Sequence, residues 1–270
     1  MEERLSGAGV REAATVRSHF DGLPASVTHV LLDFDGPVCS LFAGHPAVGV
    51  ARSMRSMLDR RGLLPMTVAD DAVLPFRDDP HGLLSALGGL LEDQGLARPK
   101  VSEAQRWAHE FLAEQELVAA ETASPTPYAV ELITGLVASG VRVAVVSNNS
   151  ADAVLAYLGR VLGPAEGDSQ SVIPANRVFG RPERPELMKP DPYLLHQAMD
   201  AMGAASGGCV MLGDSASDFL AAEAAEVGFI GVHGSDPERR DQLRVAGVPA
   251  GRLLGSLAPL VTGLKAGVSR

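Results

Sequence analysis

The sequence of 270 residues predicts an α/β fold in which a doubly wound parallel sheet carries an inserted helical segment. Three observations predict this class. Short apolar runs recur along the chain, segments with helical periodicity separate them, and one long interval holds helical patterns without a strand. The apolar runs lie at residues 28–34, 141–146, 208–212 and 227–232. Each is apolar on both faces, which is typical of strands buried in a parallel sheet.

The helical patterns that alternate with these runs are long enough to connect parallel strands. They cover residues 128–138, 151–162, 192–202 and 216–225. Strands and helices in alternation predict a sheet covered on both faces. Ligands of such sheets bind outside the carboxyl ends of the strands, and three of the four predicted strands end in small polar or acidic residues.

Residues 41–124, the helical insertion, interrupt this alternation. They contain amphipathic patterns at residues 48–61, 81–94 and 102–121 and no clear strand. We therefore predict a core domain from residues 28–40 and 125–270, with residues 41–124 as a separate helical domain. Residues 1–27 are predicted to form an N-terminal arm or a short helix.

Composition excludes several classes of function. The formal net charge is −10, the wrong sign for a protein that binds nucleic acid along an extended surface. Cys39 and Cys209 lie far apart and indicate neither a disulfide framework nor a zinc site. The sequence has no apolar run of the ~20 residues that a membrane span needs, and its first residues do not resemble a signal peptide. We expect a cytoplasmic protein with a small-molecule ligand, as a monomer or a homodimer.

Asp33 and Asp35 follow the first predicted strand and precede Gly36. In extended geometry, side chains two residues apart point in the same direction. Two adjacent carboxylates repel one another, and a hard divalent cation with oxygen ligands would compensate them if they are buried. The alternative is an Asp-Gly turn whose carboxylates are solvated.

Polar residues also follow the later strands. Ser147 and Asn148 follow the second, Lys189 lies in a Lys-Pro pair, and Asp214 and Asp218 follow the third strand. Each has a structural alternative: a turn or helix N-cap for Ser147 and Asn148, a surface lysine for Lys189, a helix cap for Asp214 and a solvated helix face for Asp218.

Taken together and in this order, these motifs resemble the haloacid dehalogenase-like (HAD) hydrolase superfamily. They are Asp33-Phe34-Asp35-Gly36, Val146-Ser147-Asn148, Lys189-Pro190-Asp191-Pro192 and Gly213-Asp214-Ser215-Ala216-Ser217-Asp218. The resemblance covers about residues 28 to 235. It implies a Rossmann-like core, with the helical insertion as the cap domain of the family. Pro37 departs from the Thr or Val that the family most often has there.

The resemblance implies a role for each of these residues. Asp33 would be the nucleophile that forms an aspartyl phosphate, and Asp35 the general acid and base. Ser147, the backbone amide of Asn148 and Lys189 would bind the phosphate. Mg²⁺ would be held by Asp33, the backbone carbonyl of Asp35 and Asp214, with Asp218 supporting the metal ligands or the lysine.

The predicted function is hydrolysis of a small-molecule phosphomonoester. A phosphomutase related to beta-phosphoglucomutase is the main alternative. A haloacid dehalogenase is disfavoured because Asp35 is retained, and a binding protein without turnover because no acidic or basic residue of the pattern is missing. The substrate stays open. A basic helix face in the insertion is interpreted as solvated, and further residues are candidates for substrate contacts. The helix face comprises Arg52, Arg55, Arg60 and Arg61; the further candidates are His45, Arg77, Arg181 and Arg184.

Overall fold

The computed structural model describes Leu23 and residues 26–64, 78–163 and 171–268. The prediction for residues 1–27 therefore lies almost entirely outside the described residues, as does Arg77. The strands are β1 (His29–Leu32), β2 (Cys39–Ser40), β3 (Ser124–Pro125), β4 (Arg142–Val146), β5 (Val178–Phe179), β6 (Cys209–Gly213), β7 (Gly228–Val232) and β8 (Leu253–Leu254). The α-helices are α1 (Ala47–Arg60), α2 (Pro80–Asp93), α3 (Arg98–Thr122), α4 (Ala129–Ala138), α5 (Ala151–Val161), α6 (Tyr193–Met202), α7 (Ala216–Ala224), α8 (Pro237–Ala246) and α9 (Ala258–Val268).

The described residues form a six-stranded sheet in the order β5-β4-β1-β6-β7-β8, and all of its paired strands are parallel. The predicted α/β class with a parallel sheet is confirmed. The four predicted strands correspond to β1, β4, β6 and β7. The edge strands β5 and β8 were not predicted. Each has two residues, too few to give a periodic pattern.

Side chains of the central strands alternate between two apolar cores. On β1, Val30 and Leu32 join the core with α4, α5 and α9, whereas Leu31 joins the core with α6, α7 and α8. The same alternation holds on β4 and β6, because successive side chains of a strand point to opposite faces. Helices on both faces therefore bury the sheet, as the apolar runs predicted.

The helices of the insertion pack around a third apolar core. Leu83, Leu84 and Leu87 of α2 are fully buried in it, and burial of each such side chain stabilises the fold by about 1.5–3 kcal/mol. Met188, from the loop between β5 and α6, is buried in the same core. The residue next to Lys189 is thus packed against the insertion.

Helix α3 extends from the insertion onto the core. Near its end, Ala119 and Ala120 belong to the core beneath α5. Arg160 of α5 donates hydrogen bonds to the carbonyls of Ala120 at 2.9 Å and Ala123 at 2.6 Å. These bonds satisfy acceptors that the end of a helix leaves without partners. After α3, strand β3 pairs with β2 in an antiparallel ribbon at the junction with the core.

Candidate active site

The carboxyl ends of β1, β4 and β6 meet at one edge of the sheet. Leu32, the last residue of β1, is in register with Val145 of β4 and with Leu212 of β6. The amide of Asp33 donates to the carbonyl of Leu212 at 2.9 Å. Strand register therefore brings Asp33 close to the residues that follow β4 and β6, in agreement with the predicted position of the site.

Lys189 is a buried cation at the centre of this edge. Its Nζ lies 2.7 Å from Asp33 Oδ1 and 2.6 Å from Asp218 Oδ1, and it donates to the Val146 carbonyl at 3.0 Å. Burial alone would lower the pKa of Lys189, but the carboxylates of Asp218 and Asp33 outweigh burial and raise it above its ordinary value. The side chain is thus an ammonium ion, and the alternative of a surface lysine is wrong.

Asn148 fixes the position of this lysine. Its Nδ2 donates to the Lys189 carbonyl at 3.0 Å, and its Oδ1 accepts from the Lys189 amide at 2.9 Å. The side chain of Asn148, which follows β4, thereby binds both the carbonyl and the amide of Lys189. The backbone amide of Asn148 was predicted to bind phosphate; its side chain positions Lys189.

Ser147 is buried directly beside the Val146 carbonyl that Lys189 binds. Its hydroxyl donates to Asn149 Oδ1 at 3.0 Å and accepts from the Asn149 amide at 3.1 Å. The hydroxyl proton is therefore held by a single neutral acceptor. An anion at the site would be a stronger acceptor for the same proton.

Three carboxylates cluster at the sheet edge. Asp33, Asp214 and Asp218 each place one oxygen so that the three atoms lie within 4.8 Å of one another. Burial, together with the Asp218 carboxylate, raises the pKa of Asp33 from 3.8 to about 7 despite the opposing effect of Lys189. Burial and the charge of Asp33 also raise the pKa of Asp214 well above its ordinary value. Hard oxygen donors with excess negative charge fit a divalent cation such as Mg²⁺.

Gly36 allows Asp214 to approach the loop that follows β1. Its φ is 110°, and a Cβ atom on this residue would overlap the Asp214 carboxylate. A glycine is therefore required here both for the backbone conformation and for the close contact.

Asp218 is held by protein donors on one carboxylate oxygen and by an ion pair on the other. Its Oδ2 accepts from the amides of Asp214 and Ser215, each at 3.1 Å, and from the Ser215 hydroxyl at 2.7 Å, while its Oδ1 lies against Lys189. Ser215 and Asp218 form a reciprocal capping box at the start of α7. The residue is 1% exposed, so the alternative of a solvated helix face is wrong. Its contacts suit a residue that positions Lys189 and the loop of Asp214.

Asp35 lies at the edge of the same cluster. Its Oδ1 accepts from the Leu41 amide at 2.8 Å, and burial raises its pKa despite this hydrogen bond. Asp35 is partly exposed and lines a cavity with Asp214. The nearby Cys39 is fully buried, and burial raises the pKa of its thiol. Asp35 is therefore accessible to a ligand, whereas Cys39 is an inert part of the core.

Glu116 of α3 was not identified from the sequence. It is fully buried, and its Oε1 lies 2.6 Å from Arg181 Nη1, 2.8 Å from His81 Nε2 and 3.2 Å from Asn149 Nδ2. Its Oε2 accepts from the Ser150 amide at 2.9 Å. Burial would raise the pKa of Glu116, but its donors His81 and Arg181 outweigh burial and lower it to about 2. This carboxylate of the insertion thus binds the loop that carries Ser147.

Of the three described candidates outside the main motifs, Arg181 forms this buried ion pair. His45 contacts Gln115 at 2.9 Å, and Arg184 forms an exposed pair with Glu186. The interpretation of the α1 arginines as a solvated face is wrong for Arg55, which is 8% exposed.

Arg239 of α8 is a second residue that the sequence did not reveal. Its Nη1 lies 2.6 Å from Asp214 Oδ2, and its side chain is 40% exposed. Arg239 lies one helix and one strand beyond the last motif. No local sequence pattern therefore indicates that it lies close to Asp214 in space.

The pH dependence of stability is expected to reveal the acidic cluster. An acid whose pKa is raised by folding stabilises the fold below its unfolded pKa and loses that contribution as pH rises through its folded pKa. For Asp33 this window runs from 3.8 to about 7. The free energy of unfolding of the metal-free protein should therefore fall across this range. Denaturation in EDTA at about pH 5 and about pH 8 measures the fall.

Asp33→Asn removes one of the titrating carboxylates, and added Mg²⁺ would compensate the negative charge of the cluster. Either change should make the free energy of unfolding depend less on pH. A profile in EDTA that is the same for the wild type and Asp33→Asn would contradict the assignment of the shift to Asp33.

The fold and the site together define an α/β protein with an acidic centre at the carboxyl edge of its parallel sheet. Residues 27–226 match the family model described as haloacid dehalogenase-like hydrolase, and the chain belongs to this family. The resemblance inferred from the four motifs is confirmed. Among the residues that the structure describes, no helix is both long and apolar enough to cross a membrane.

Several solved structures share the fold at low sequence identity. An HAD family hydrolase from Deinococcus radiodurans, solved with bound phosphate and sodium, is 23% identical with a TM-score of 0.54, covering 91% of this chain and 98% of that one. A predicted phosphatase from Clostridium acetobutylicum is 16% identical with a TM-score of 0.58, covering 89% and 99%. A hydrolase from Pseudomonas syringae is 20% identical with a TM-score of 0.57, covering 88% and 98%. A comparison with curated proteins gave no match.

Proposed function

We propose that this chain is a Mg²⁺-dependent phosphatase that hydrolyses a small-molecule phosphomonoester through an aspartyl phosphate on Asp33. The observation that carries the proposal is the buried contact of Lys189 with Asp33 and Asp218, beside the carboxylate of Asp214. A nucleophilic carboxylate, a fixed ammonium and a set of hard oxygen donors are the parts that phosphoryl transfer needs.

The metal would be held by Asp33, Asp214 and the backbone carbonyl of Asp35. Once bound, Mg²⁺ supplies positive charge that stabilises the oxygens of the transferring phosphoryl group. Asp218 would not bind the cation directly, because its Oδ2 already accepts hydrogen bonds from Asp214 and Ser215 and its Oδ1 is paired with Lys189.

In the first step, a carboxylate oxygen of Asp33 attacks phosphorus, and the bond from phosphorus to the leaving oxygen breaks. Protonated Asp35 gives its proton to that oxygen, which leaves as an alcohol. The raised pKa of Asp35 favours the protonated form that this step requires. Ser147 and Lys189 would bind the phosphoryl oxygens from the other side.

In the second step, ionised Asp35 takes a proton from water while the water oxygen attacks phosphorus. The bond between phosphorus and the Asp33 oxygen breaks, which releases inorganic phosphate and restores both carboxyl groups. Lys189 stays bonded to Asp33 and to the Val146 carbonyl and so keeps the nucleophile in place.

We also propose that the helical insertion is the cap domain of this enzyme and that the enzyme works in the cytoplasm. The insertion has an apolar core of its own, which also buries Met188 next to Lys189. Phe42 and Ala43, at the start of the insertion, line the cavity beside Asp35. Residues of the insertion are thus close to where a leaving group would lie.

Turnover is expected to need a divalent metal. With a panel of small phosphomonoesters and Mg²⁺, at least one should release inorganic phosphate, and EDTA should lower the rate by at least about 100-fold because the acidic cluster loses its compensating charge. Excess Mg²⁺ should restore the rate. Phosphate release measured before chelation, after it and after metal addition checks this.

Two outcomes would count against the proposal. Activity that survives exhaustive chelation would contradict the metal-dependent mechanism. An isomerised phosphoester, formed without free phosphate and only with a bisphosphate primer, would favour the phosphomutase.

A further inference from the structure

A cavity of about 480 Å³ opens over Asp35 and Asp214. Its walls come from the loop after β1, the loop after β6 and helix α8, which contributes Arg239 and Gln242. Among the described residues that line it, Arg239 is the only one with a positively charged side chain. The cavity is therefore acidic at its base and basic at one point on its wall.

Arg239 forms one ion pair with the acidic residues at the bottom of the cavity. Its Nη1 lies 2.6 Å from Asp214 Oδ2, while the arginine side chain is 40% exposed and that of Asp214 only 10%. The main chain of Arg239 is fixed, since its amide donates to the carboxylate of Asp236 at the start of α8 at 3.2 Å. The guanidinium can thus change partners by side-chain rotation without movement of the helix.

Arg239 and a metal ion would compete for Asp214. In the metal-free protein, the guanidinium compensates part of the charge of this carboxylate and lowers its pKa against the larger effect of burial. A divalent cation bound to Asp214 supplies the same compensation and repels the guanidinium. The arginine then lacks an anion at the wall of the cavity, where the leaving group of a substrate would lie beyond Asp35.

We propose that Arg239 exchanges partners: it pairs with Asp214 in the metal-free protein and, once the metal occupies Asp214, binds a second anionic group on the leaving group of the substrate. The preferred substrates are then phosphomonoesters whose leaving group carries a carboxylate or another phosphate. This inference rests on the proposed function for the position of the leaving group. The competition with metal does not depend on turnover.

The first test measures Mg²⁺ binding to the metal-free protein by calorimetry. Arg239→Gln removes the competing charge and should bind Mg²⁺ at least about tenfold more tightly than the wild type. Arg240→Gln is the matched control, because Arg240 is the next residue of α8, is 49% exposed and pairs with Asp241. It should leave the affinity unchanged. Equal affinities for the two variants, or weaker binding by Arg239→Gln, would overturn the competition.

The second test compares esters of similar size with and without an anion on the leaving group. One pair contrasts a carboxylate with a neutral group, and the other contrasts a second phosphate with a hydroxyl. The wild type and Arg240→Gln should prefer the anionic ester by about tenfold or more in kcat/KM. At saturating Mg²⁺, Arg239→Gln should lose the preference, because its kcat/KM on the anionic ester should fall by about tenfold more than any change on the neutral ester. The pair of esters that shows the larger ratio of kcat/KM identifies the anion that Arg239 binds.

Two results of the second test would overturn the anion site: a wild type without preference, or equal losses on both esters in Arg239→Gln. If no ester is turned over at all, the proposed function fails by itself. In that case, the affinities of the metal-loaded wild type and Arg239→Gln for the same esters, measured by calorimetry, decide whether Arg239 binds the second anion.

Discussion

Asp33→Asn is expected to abolish phosphate release, with a fall in kcat on the order of 10⁶-fold, the scale seen when a covalent nucleophile is removed from an enzyme. The amide is almost the same shape as the carboxylate and keeps an oxygen that accepts from Lys189, but it is not a nucleophile. Since burial and the Asp218 carboxylate raise the pKa of Asp33, loss of its charge should not destabilise the metal-free protein. Phosphate release and thermal unfolding of the variant check both expectations.

The covalent step can be observed directly. Metal-loaded wild type that is mixed with substrate and quenched in acid should carry one phosphoryl group on the peptide that contains Asp33, and Asp33→Asn should carry none. Asp200→Asn is a control, because Asp200 is exposed in the last turn of α6. Turnover of Asp33→Asn at a rate near that of the wild type, or a label on another peptide, would contradict the nucleophile assignment.

Glu116→Ala is expected to lower the free energy of unfolding by about 3–5 kcal/mol, as does the removal of one partner from other buried ion pairs. The substitution leaves the fully buried guanidinium of Arg181 without its carboxylate. It also removes the acceptor of the Ser150 amide and of the Asn149 side chain. A loss of this size is a large part of the total stability of a domain, and it should appear as a melting temperature lower by about 10 °C or more.

Two controls separate the ion pair from general effects on α3. Glu114→Ala changes an exposed glutamate of the same helix and should have little effect. The double variant Glu116→Leu with Arg181→Met replaces both charges by apolar groups and should recover much of the stability. If Glu116→Ala is as stable as Glu114→Ala, the buried pair does not hold the insertion to the core.

Sequence patterns could predict the centre of the site because its residues directly follow strands. Asp33, Ser147 and Asp214 each come after an apolar run, and parallel strands bring such positions to one edge. Lys189 lies outside any strand, and its place could be expected only through the family motif. The structure shows how that place is set, by two hydrogen bonds between the main chain of Lys189 and the side chain of Asn148, 41 residues earlier.

Glu116 and Arg239 could not be predicted in the same way. Glu116 is one of several glutamates in a long amphipathic helix, and such residues are usually solvated. Its partners are 65 residues away in Arg181 and 35 in His81, so no local spacing reveals them. Arg239 lies in a charged helix that packs mainly through Leu243. In both cases the partner is set by how helices pack on the sheet, which periodicity does not specify.

The continuous course of α3 has a mechanical consequence. This single helix of 25 residues begins in the insertion, and its end accepts hydrogen bonds from Arg160 of the core. Glu116, within the same helix, forms the buried ion pair with Arg181. Rotation of the whole insertion away from the core would have to pull that carboxylate from its donors. We therefore expect α3 to keep its position relative to the core. Any movement that opens the site to substrate should then involve α1 and the segment that joins it to β2.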